Sequence, residues 1–277
     1  MTVAEDRLKA GDLDGARQAL QEAVRKEPAK AELRVFLFQL LCVCGEWERA
    51  LTQLRVCGEL DGNAMPMVQT YREAIGCEMV RARVFAGETA PLVMGDPPNW
   101  LALLIQALGA LARGEAEAAA DLRARAFEEA PATSGSIDGK SFGWIADADM
   151  RLGPVLELIV NGRYFWAPVS TVKFLSVEEP ADLRDAVWLP VEVTWANGGQ
   201  MPALMPTRYP GTETQEKAAL RLSRATEWRD LGAETWAGYG QRLLATDAED
   251  HAVMDMRRLA LDVEIPQMAE QEEPGGG

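Results

Sequence analysis

Two aspartates and an arginine form the densest polar cluster in this sequence. Asp147, Asp149 and Arg151 alternate with apolar residues, so in an extended chain their side chains would lie on one face. Neighbouring carboxylates serve as metal ligands or as an acid–base pair in hydrolytic enzymes. We favour a structural role, in which Arg151 neutralises the carboxylates at the rim of a strand, because no third carboxylate or histidine lies nearby in the sequence.

His251 is the only histidine of the chain, and this restricts the enzymatic mechanisms open to it. A Ser-His-Asp or Cys-His site would have to use this imidazole. It stands beside a predicted turn among acidic residues, where an exposed side chain is expected. A metal-dependent hydrolase built from Asp147, Asp149 and His251 stays open as an alternative, but we expect a protein without catalytic residues, cofactor or bound metal.

The aromatic residues indicate either a large core or a surface for protein binding. Six of the eight tryptophans fall between Trp144 and Trp236. We expect most of them to build a core, while an exposed subset would anchor a protein partner. Arg208 and Tyr209 join this group because prolines on both sides fix their loop. The candidate partner-binding residues are Trp47, Trp144, Asp147, Asp149, Arg151, Arg163, Tyr164, Trp166, Trp188, Trp195, Arg208 and Tyr209.

A short phrase that occurs three times predicts the scaffold that carries these residues. Its copies begin at Gly11, Gly45 and Gly114, so the first two lie 34 residues apart and the third follows 69 residues later. A period of about 34 residues is that of a tetratricopeptide-like helix pair. The Gly would end the first helix, the next acidic residue would cap the second, and the following Ala would allow close packing. Such a scaffold presents a groove rather than a reactive site.

The two halves of the chain differ in their hydrophobic periodicity and together predict an α+β fold. We expect a tetratricopeptide-like helical domain over residues 1–131 and a small mixed, mainly antiparallel β domain with short helices over residues 140–263. Asn161-Gly162 and Asn197-Gly198-Gly199 predict two β-hairpins in that second domain. The pattern further predicts a loop at 87–96 and an amphipathic helix at 213–226, and the periodicity changes after a Ser-, Thr- and Gly-rich segment at 132–140.

Composition excludes some classes of partner. The 277-residue chain carries 28 Lys and Arg against 43 Asp and Glu, a formal net charge of −15 that repels nucleic-acid phosphates. The longest apolar run, residues 100–112, is shorter than the ~20 residues that span a bilayer, and the N-terminus does not resemble a secretory signal. We therefore expect a cytoplasmic protein with free cysteine thiols, no bound nucleic acid, no membrane insertion and a disordered acidic, Gly-rich tail at 264–277.

Five phrases in the second half form a more specific pattern. They are FGWIADAD (142–149), RLGPVLE (151–157), VNGRY (160–164), DLRD (182–185) and PTRYPG (206–211). In this order they resemble the ImpE/TagJ family, accessory proteins of bacterial type VI secretion systems. The TEW phrase at 226–228 and the helical repeat at the start of the chain fit the same family, so the resemblance covers essentially the whole chain.

The resemblance implies a non-enzymatic adaptor in the cytoplasm. It implies binding to a helix near the N-terminus of the small subunit of the contractile sheath, and a link to the ClpV ATPase that disassembles contracted sheaths. An amphipathic helix fits in the groove of a helical scaffold through anchors at i, i+3, i+4 and i+7, and an acidic body favours Lys or Arg on it. A structural homo-oligomer that associates through the Trp-rich half stays open as a further alternative.

Overall fold

Helices form the first part of the chain in the computed structural model, which describes residues 2–263. They are α1 (Val3–Lys9), α2 (Leu13–Lys26), α3 (Ala31–Val43), α4 (Trp47–Leu60), α5 (Met65–Phe85), α6 (Asn99–Ala112) and α7 (Ala116–Glu129). In α2 the buried residues Leu13, Ala16, Leu20 and Val24 follow the helical period and form the stripe that packs inward. The helices pack as the pairs α1–α2, α3–α4 and α6–α7, with the single long helix α5 between the second and third pairs. The predicted helical repeat is confirmed.

The glycine of each repeated phrase follows the end of a helix in a left-handed conformation. Gly11, Gly45 and Gly114 have φ angles of 77°, 71° and 80°, a region that favours Gly because it has no Cβ. The alanines that follow each glycine are buried where the paired helices meet. They are Ala16, Ala50 and Ala119.

The predicted acidic caps are confirmed in only one of the three copies. The side chain of Asp12 accepts a hydrogen bond of 2.8 Å from the backbone N of Gly15. Glu46 and Glu115 make no such bond, so for them the prediction is wrong. Glu46 forms an ion pair with Arg17 of α2 instead, because its longer side chain reaches the neighbouring helix.

Strands dominate the second part of the chain. They are β1 (Leu92–Val93), β2 (Gly135–Ile137), β3 (Lys140–Phe142), β4 (Ile145–Asp147), β5 (Val155–Val160), β6 (Arg163–Pro168), β7 (Val172–Val177), β8 (Trp188–Trp195), β9 (Gln200–Pro206), β10 (Thr226–Asp230), β11 (Trp236–Gly240), β12 (Leu243–Thr246), β13 (Asp250–Ala252) and β14 (Arg258–Leu261). Nine of them form one sheet in the order β1-β6-β5-β9-β8-β7-β14-β2-β3, in which only the β1–β6 pair is parallel. A three-stranded sheet, β13-β12-β4, and the ribbon β10-β11 complete the fold.

The two predicted hairpins are confirmed. Asn161 and Gly162, with φ angles of 48° and 68°, connect β5 to β6, as a type I′ turn requires. Residues 197–199 connect β8 to β9. The mainly antiparallel character of the sheet is also as predicted, although the sheet is much larger than the small one expected.

One segment prediction is wrong, and two other segments contain short strands that the local pattern does not show. The loop predicted at 87–96 is confirmed except for the two-residue strand β1, which pairs with β6, and the Ser-, Thr- and Gly-rich segment at 132–140 contains β2, which pairs with β14. The predicted helix at 213–226 reduces to the single turn α8 (Ala218–Arg221), ended by Ser223 in a left-handed conformation. The predicted tail at 264–277 lies outside the described residues.

The helical and β parts of the chain share one hydrophobic core. Trp188 of β8 packs against Trp47 of α4 and Tyr71 of α5, with ring centroids 6.0 and 5.8 Å apart. Phe85 at the end of α5 packs against Trp166 of β6 at 6.1 Å. The four cysteines are free, as expected. Within residues 2–263, no helix is both long enough and apolar enough to span a membrane.

Candidate partner-binding site

A network of buried charges lies where the helical and β parts meet. Arg81 of α5 donates two hydrogen bonds, of 2.7 and 2.9 Å, to the carboxylate of Glu157 in β5. Arg242 forms ion pairs with both Glu157 and Asp147. Burial opposes ionisation of Glu157, but the two arginines outweigh it and hold its pKa at about 2. Burial dominates at Asp147 and raises its pKa to about 7 despite Arg242. The network joins the two parts of the molecule.

The acidic cluster predicted from the sequence contributes to this network but does not share one face. β4 ends at Asp147, and the chain then turns, so Asp149 points to a different set of partners. Asp149 accepts hydrogen bonds from Arg151 Nη2 at 2.6 Å and from the backbone N of Gly238 at 2.9 Å. Arg151 therefore neutralises Asp149, as expected, whereas the partner of Asp147 is Arg242. Both carboxylates are buried rather than at a rim, because each has an arginine against it.

His251 does not join the two aspartates in a metal site. It lies on β13, half-buried, and pairs in register with Leu244 of β12. Across residues 2–263, no three His, Cys, Asp or Glu side chains are arranged to hold a metal ion. The carboxylates of Asp147 and Asp149 are instead bound by arginines and backbone N–H groups.

Several aromatic candidates lie in the core, where their polar atoms serve the charge network. Trp166 Nε1 donates to the hydroxyl of Tyr164 at 2.8 Å, and that hydroxyl donates to Glu157. Trp188 Nε1 donates to Glu78 Oε1 at 3.0 Å. These side chains are buried, so they cannot touch a partner in this conformation. Trp195 and Tyr209 are buried as well. Trp195 is therefore a core residue, as expected for most of the tryptophans, and so is Tyr209.

Arg208 is also buried, and it fixes the end of a helix. Its Nη1 donates to the carbonyl of Val43 at 2.8 Å and its Nη2 to that of Cys42 at 3.0 Å. These carbonyls lie in the last turn of α3, where the regular N–H partners of the helix have ended, and that of Cys42 also accepts from the backbone N of Gly45 at 3.0 Å. Nη1 of Arg208 also donates to the carbonyl of Arg221 at 3.0 Å. Sequence reasoning found Arg208 but missed Arg81, Glu157 and Arg242. A Glu inside the apolar run of β5 was the signal for them, because a buried carboxylate requires a cation.

Four candidates are at least partly accessible, in different places. Trp144 is 42% exposed just before β4, and Arg163 is exposed at the start of β6. Trp47 on α4 and Arg151 after β4 are partly buried. Trp144 borders an apolar cleft of about 370 Å³ between the end of α7 and β4, whose other walls include Phe127 and Met150. The structure does not bring the accessible candidates together into one surface.

A larger cleft lies on the helical part of the molecule. It has a volume of about 700 Å³ and runs between α1, the start of α3 and the end of α4; we call it the helical groove. Its apolar lining includes partly buried side chains of α1 and α3. They are Leu8, Leu33, Val35 and Phe36.

The rim of the helical groove is acidic. Glu5, Glu32, Asp61 and Asp182 line it together with Lys30, and Arg184 forms an ion pair with Asp182. Glu32, Asp61 and Asp182 are exposed, so their charges face the solvent that a partner would displace. An apolar floor with an acidic rim suits an amphipathic segment that carries basic residues.

Comparisons with known proteins agree with the resemblance seen in the sequence. The model of the ImpE protein family matches residues 139–260, and a tetratricopeptide-repeat model matches residues 7–70. Over 257 residues the chain is 55% identical to the type VI secretion system accessory component TagJ of Pseudomonas aeruginosa, with 93% of this chain and 90% of that protein covered.

A solved structure shows the same fold. The crystal structure of protein VPA1032 from Vibrio parahaemolyticus matches with a TM-score of 0.84 at 26% identity, covering 95% of this chain and 98% of that one. Fold, repeat and sequence identity thus agree over nearly the full length of the chain. The protein therefore belongs to the ImpE/TagJ family of type VI secretion system accessory proteins.

Proposed function

We propose that this protein is a cytoplasmic, non-enzymatic adaptor that holds a helix of the small sheath subunit of a type VI secretion system in the helical groove. By holding that helix it would help to couple the sheath to the ClpV ATPase that recycles it. The observation that carries the proposal is the groove itself: it has an apolar floor, an acidic rim and a place on a helical-repeat scaffold.

The lining of the helical groove suits an amphipathic helix. Leu33 and Phe36 stand three residues apart on α3, so their side chains lie side by side on one helix face. A partner helix would place apolar side chains at i, i+3, i+4 and i+7 against this floor.

Charge supports a basic partner. The formal net charge of −15 and the acidic rim attract a helix that carries Lys or Arg, and they speed its association. Exposed charges separated by more than ~8–10 Å are screened at physiological salt. Affinity for the sheath helix should therefore fall as salt rises, more through slower association than through faster dissociation.

The test is a titration of the full-length protein with a labelled peptide of the N-terminal helix of the small sheath subunit. Phe36→Asp places a charge on the apolar floor and should weaken binding by about tenfold or more, as expected for a central apolar anchor. Met79→Asp is the matched control, because Met79 is exposed on α5 outside the groove. It should bind like the parent protein.

Far-UV circular dichroism of both variants separates a lost contact from a lost fold. Glu32→Lys provides a second variant at an exposed rim position, where folding is not at risk. Equal affinity of the parent, Phe36→Asp and Glu32→Lys proteins for the peptide would rule out the helical groove as the site. Light scattering with and without the peptide distinguishes partner binding from self-association.

A further inference from the structure

The helical groove is not built by helices alone. Residues 181–183, which we call the wall segment, come from the β part of the chain and line the groove together with α1 and α3. They lead into a 3-10 turn, Leu183–Ala186, that packs against α3. The groove is therefore a composite of the repeat scaffold and a segment of the β part of the chain.

Hydrogen bonds hold the wall segment in one conformation. The buried carboxylate of Asp185 accepts from the backbone N of Ala181 at 2.8 Å and from that of Asp182 at 2.7 Å. The carbonyl of Asp185 accepts from Thr207 Oγ1 at 2.6 Å. The carbonyl of Ala186 in turn accepts from Ser223 Oγ at 2.6 Å. A binding contact on this segment would cost little ordering entropy.

Asp182 presents a positioned carboxylate at the groove. Its side chain is 43% exposed and contacts Arg184 Nη2 at 2.5 Å. The guanidinium of Arg184 lies over the ring of Tyr71, 4.6 Å from its centroid, which fixes the arginine and hence the carboxylate. An ionised carboxylate accepts up to about four hydrogen bonds, so one arginine does not saturate it. Leu183 beside it is partly buried and packs against the core.

We infer that the wall segment determines which helix the groove accepts: Asp182 binds one Lys or Arg of the captured helix, and Leu183 contacts its apolar face. This inference rests on the proposed function, since it assigns a specificity role within the same groove. Glu5, Glu32 and Asp61 on the helices attract basic residues in general, whereas Asp182, on a rigid segment beside an apolar contact, selects one position. A helix with an acidic residue at that position is rejected by like-charge repulsion.

The experiment is a charge-swap cycle in the full-length protein. Asp182→Lys is titrated with the parent sheath-helix peptide and with a peptide series in which each Lys or Arg is replaced by Glu. We expect Asp182→Lys to bind the parent peptide ~5–10-fold more weakly and one Glu-substituted peptide to restore the affinity. Glu192→Lys is the matched control, because Glu192 is exposed on β8 outside the groove lining and its reversal makes the same change in net charge.

The outcomes separate this inference from the proposed function. If Asp182→Lys binds the parent peptide as tightly as Glu192→Lys does, while Phe36→Asp binds it more weakly, the helical groove remains the binding site. The role of the wall segment is then refuted. If every Glu-substituted peptide restores affinity equally, Asp182 acts only through net charge, and its selective role is refuted. If Phe36→Asp also binds the peptide with the affinity of the parent protein, the helical groove is not the binding site and the proposed function is refuted.

Discussion

Glu157 joins the two parts of the molecule through one buried carboxylate. It receives hydrogen bonds from Arg81 of α5 and from Tyr164, and it forms an ion pair with Arg242. The attraction of Arg81 and Arg242 to this buried carboxylate offsets the cost of removing the three charges from water. Removing the carboxylate would leave Arg81 without its main partner and Arg242 with Asp147 alone.

The first prediction is that Glu157→Gln strongly destabilises the fold. Loss of one partner from a buried ion pair typically costs ~3–5 kcal/mol, because the remaining charge stays buried without compensation. Urea denaturation of the variant and the parent measures the difference in the free energy of unfolding. Glu192→Gln, at an exposed position of β8, should change it by less than ~0.5 kcal/mol. A Glu157→Gln protein as stable as this control would show that the network contributes nothing.

The same variant has a pH signature. The pKa of Glu157 in the folded protein is about 2, below its ordinary value of 4.5. Its ionisation therefore stabilises the fold fully above about pH 4.5, and this contribution is lost as the pH falls toward 2. The stability difference between the parent and Glu157→Gln should shrink over that interval. A difference that stays constant down to pH 2 would contradict the ion-pair account.

The cluster of Asp147, Asp149 and Arg151 shows which ion pairs can be predicted from the local sequence. Arg151 and Asp149 are two residues apart, and their predicted ion pair forms. Asp147 instead pairs with Arg242, 95 residues further along the chain. Spacing along the chain cannot predict that pair, because the antiparallel pairing of β4 with β12 brings Asp147 and Arg242 together.

The helix α3 depends on the β part of the chain for its end. The fork of the Arg208 guanidinium spans the carbonyls of Cys42 and Val43, just before the left-handed Gly45. A cation here also complements the negative end of the helix dipole. Because α3 supplies Leu33, Val35 and Phe36 to the helical groove, Arg208 supports the groove from the inside.

At this scale we predict that Arg208→Lys lowers the free energy of unfolding by about 1–3 kcal/mol. A lysine keeps the charge but lacks the planar fork, so it does not reproduce the hydrogen bonds of Arg208 to the carbonyls of Cys42, Val43 and Arg221. Arg163→Lys, at an exposed position of β6, is the matched control and should be nearly neutral. Denaturation curves for the two variants provide the comparison. Equal stabilities would mean that the fork at the end of α3 has no energetic role.

Elements with strong local signals were predicted well, and elements set by distant partners were not. The left-handed glycines of the repeat and the Asn161-Gly162 turn depend on short-range conformational preferences, and both formed as expected. The predicted helix at 213–226 is reduced to the single turn α8, because Ser223 takes a left-handed conformation and Thr226 already belongs to β10, which pairs with β11. The acidic caps at Glu46 and Glu115 failed because a Glu side chain is longer than the Asp, Asn, Ser or Thr that commonly cap helices.

In the whole molecule, the two parts of the chain behave as one packed unit. Trp188 contacts Trp47 and Tyr71, and the carboxylate of Glu157 bonds to Arg81, so apolar and ionic contacts both cross the junction. The α+β class was predicted from the change in periodicity. The shared core was not, because the pattern of each half shows that a face is buried but not what buries it.

The candidate site was likewise only half predictable. The repeat indicated a groove for a helix, and the acidic composition indicated a basic partner. The aromatic candidates Trp166 and Trp188 proved to be core residues, since their large rings fill the junction. The wall segment belongs to the β part of the chain, so its place at the groove could be found only from the fold.

Site-specific photocrosslinking tests the central claim most directly. A photoreactive residue is introduced in the full-length protein at position 35 in the helical groove, at position 144 beside the apolar cleft, and at position 79 on the outer face of α5. Each protein is irradiated with the peptide of the N-terminal helix of the small sheath subunit. The account predicts crosslinks from position 35 and none from positions 144 or 79. Crosslinks from position 144 with none from position 35 would contradict it and place the partner on the β part of the molecule.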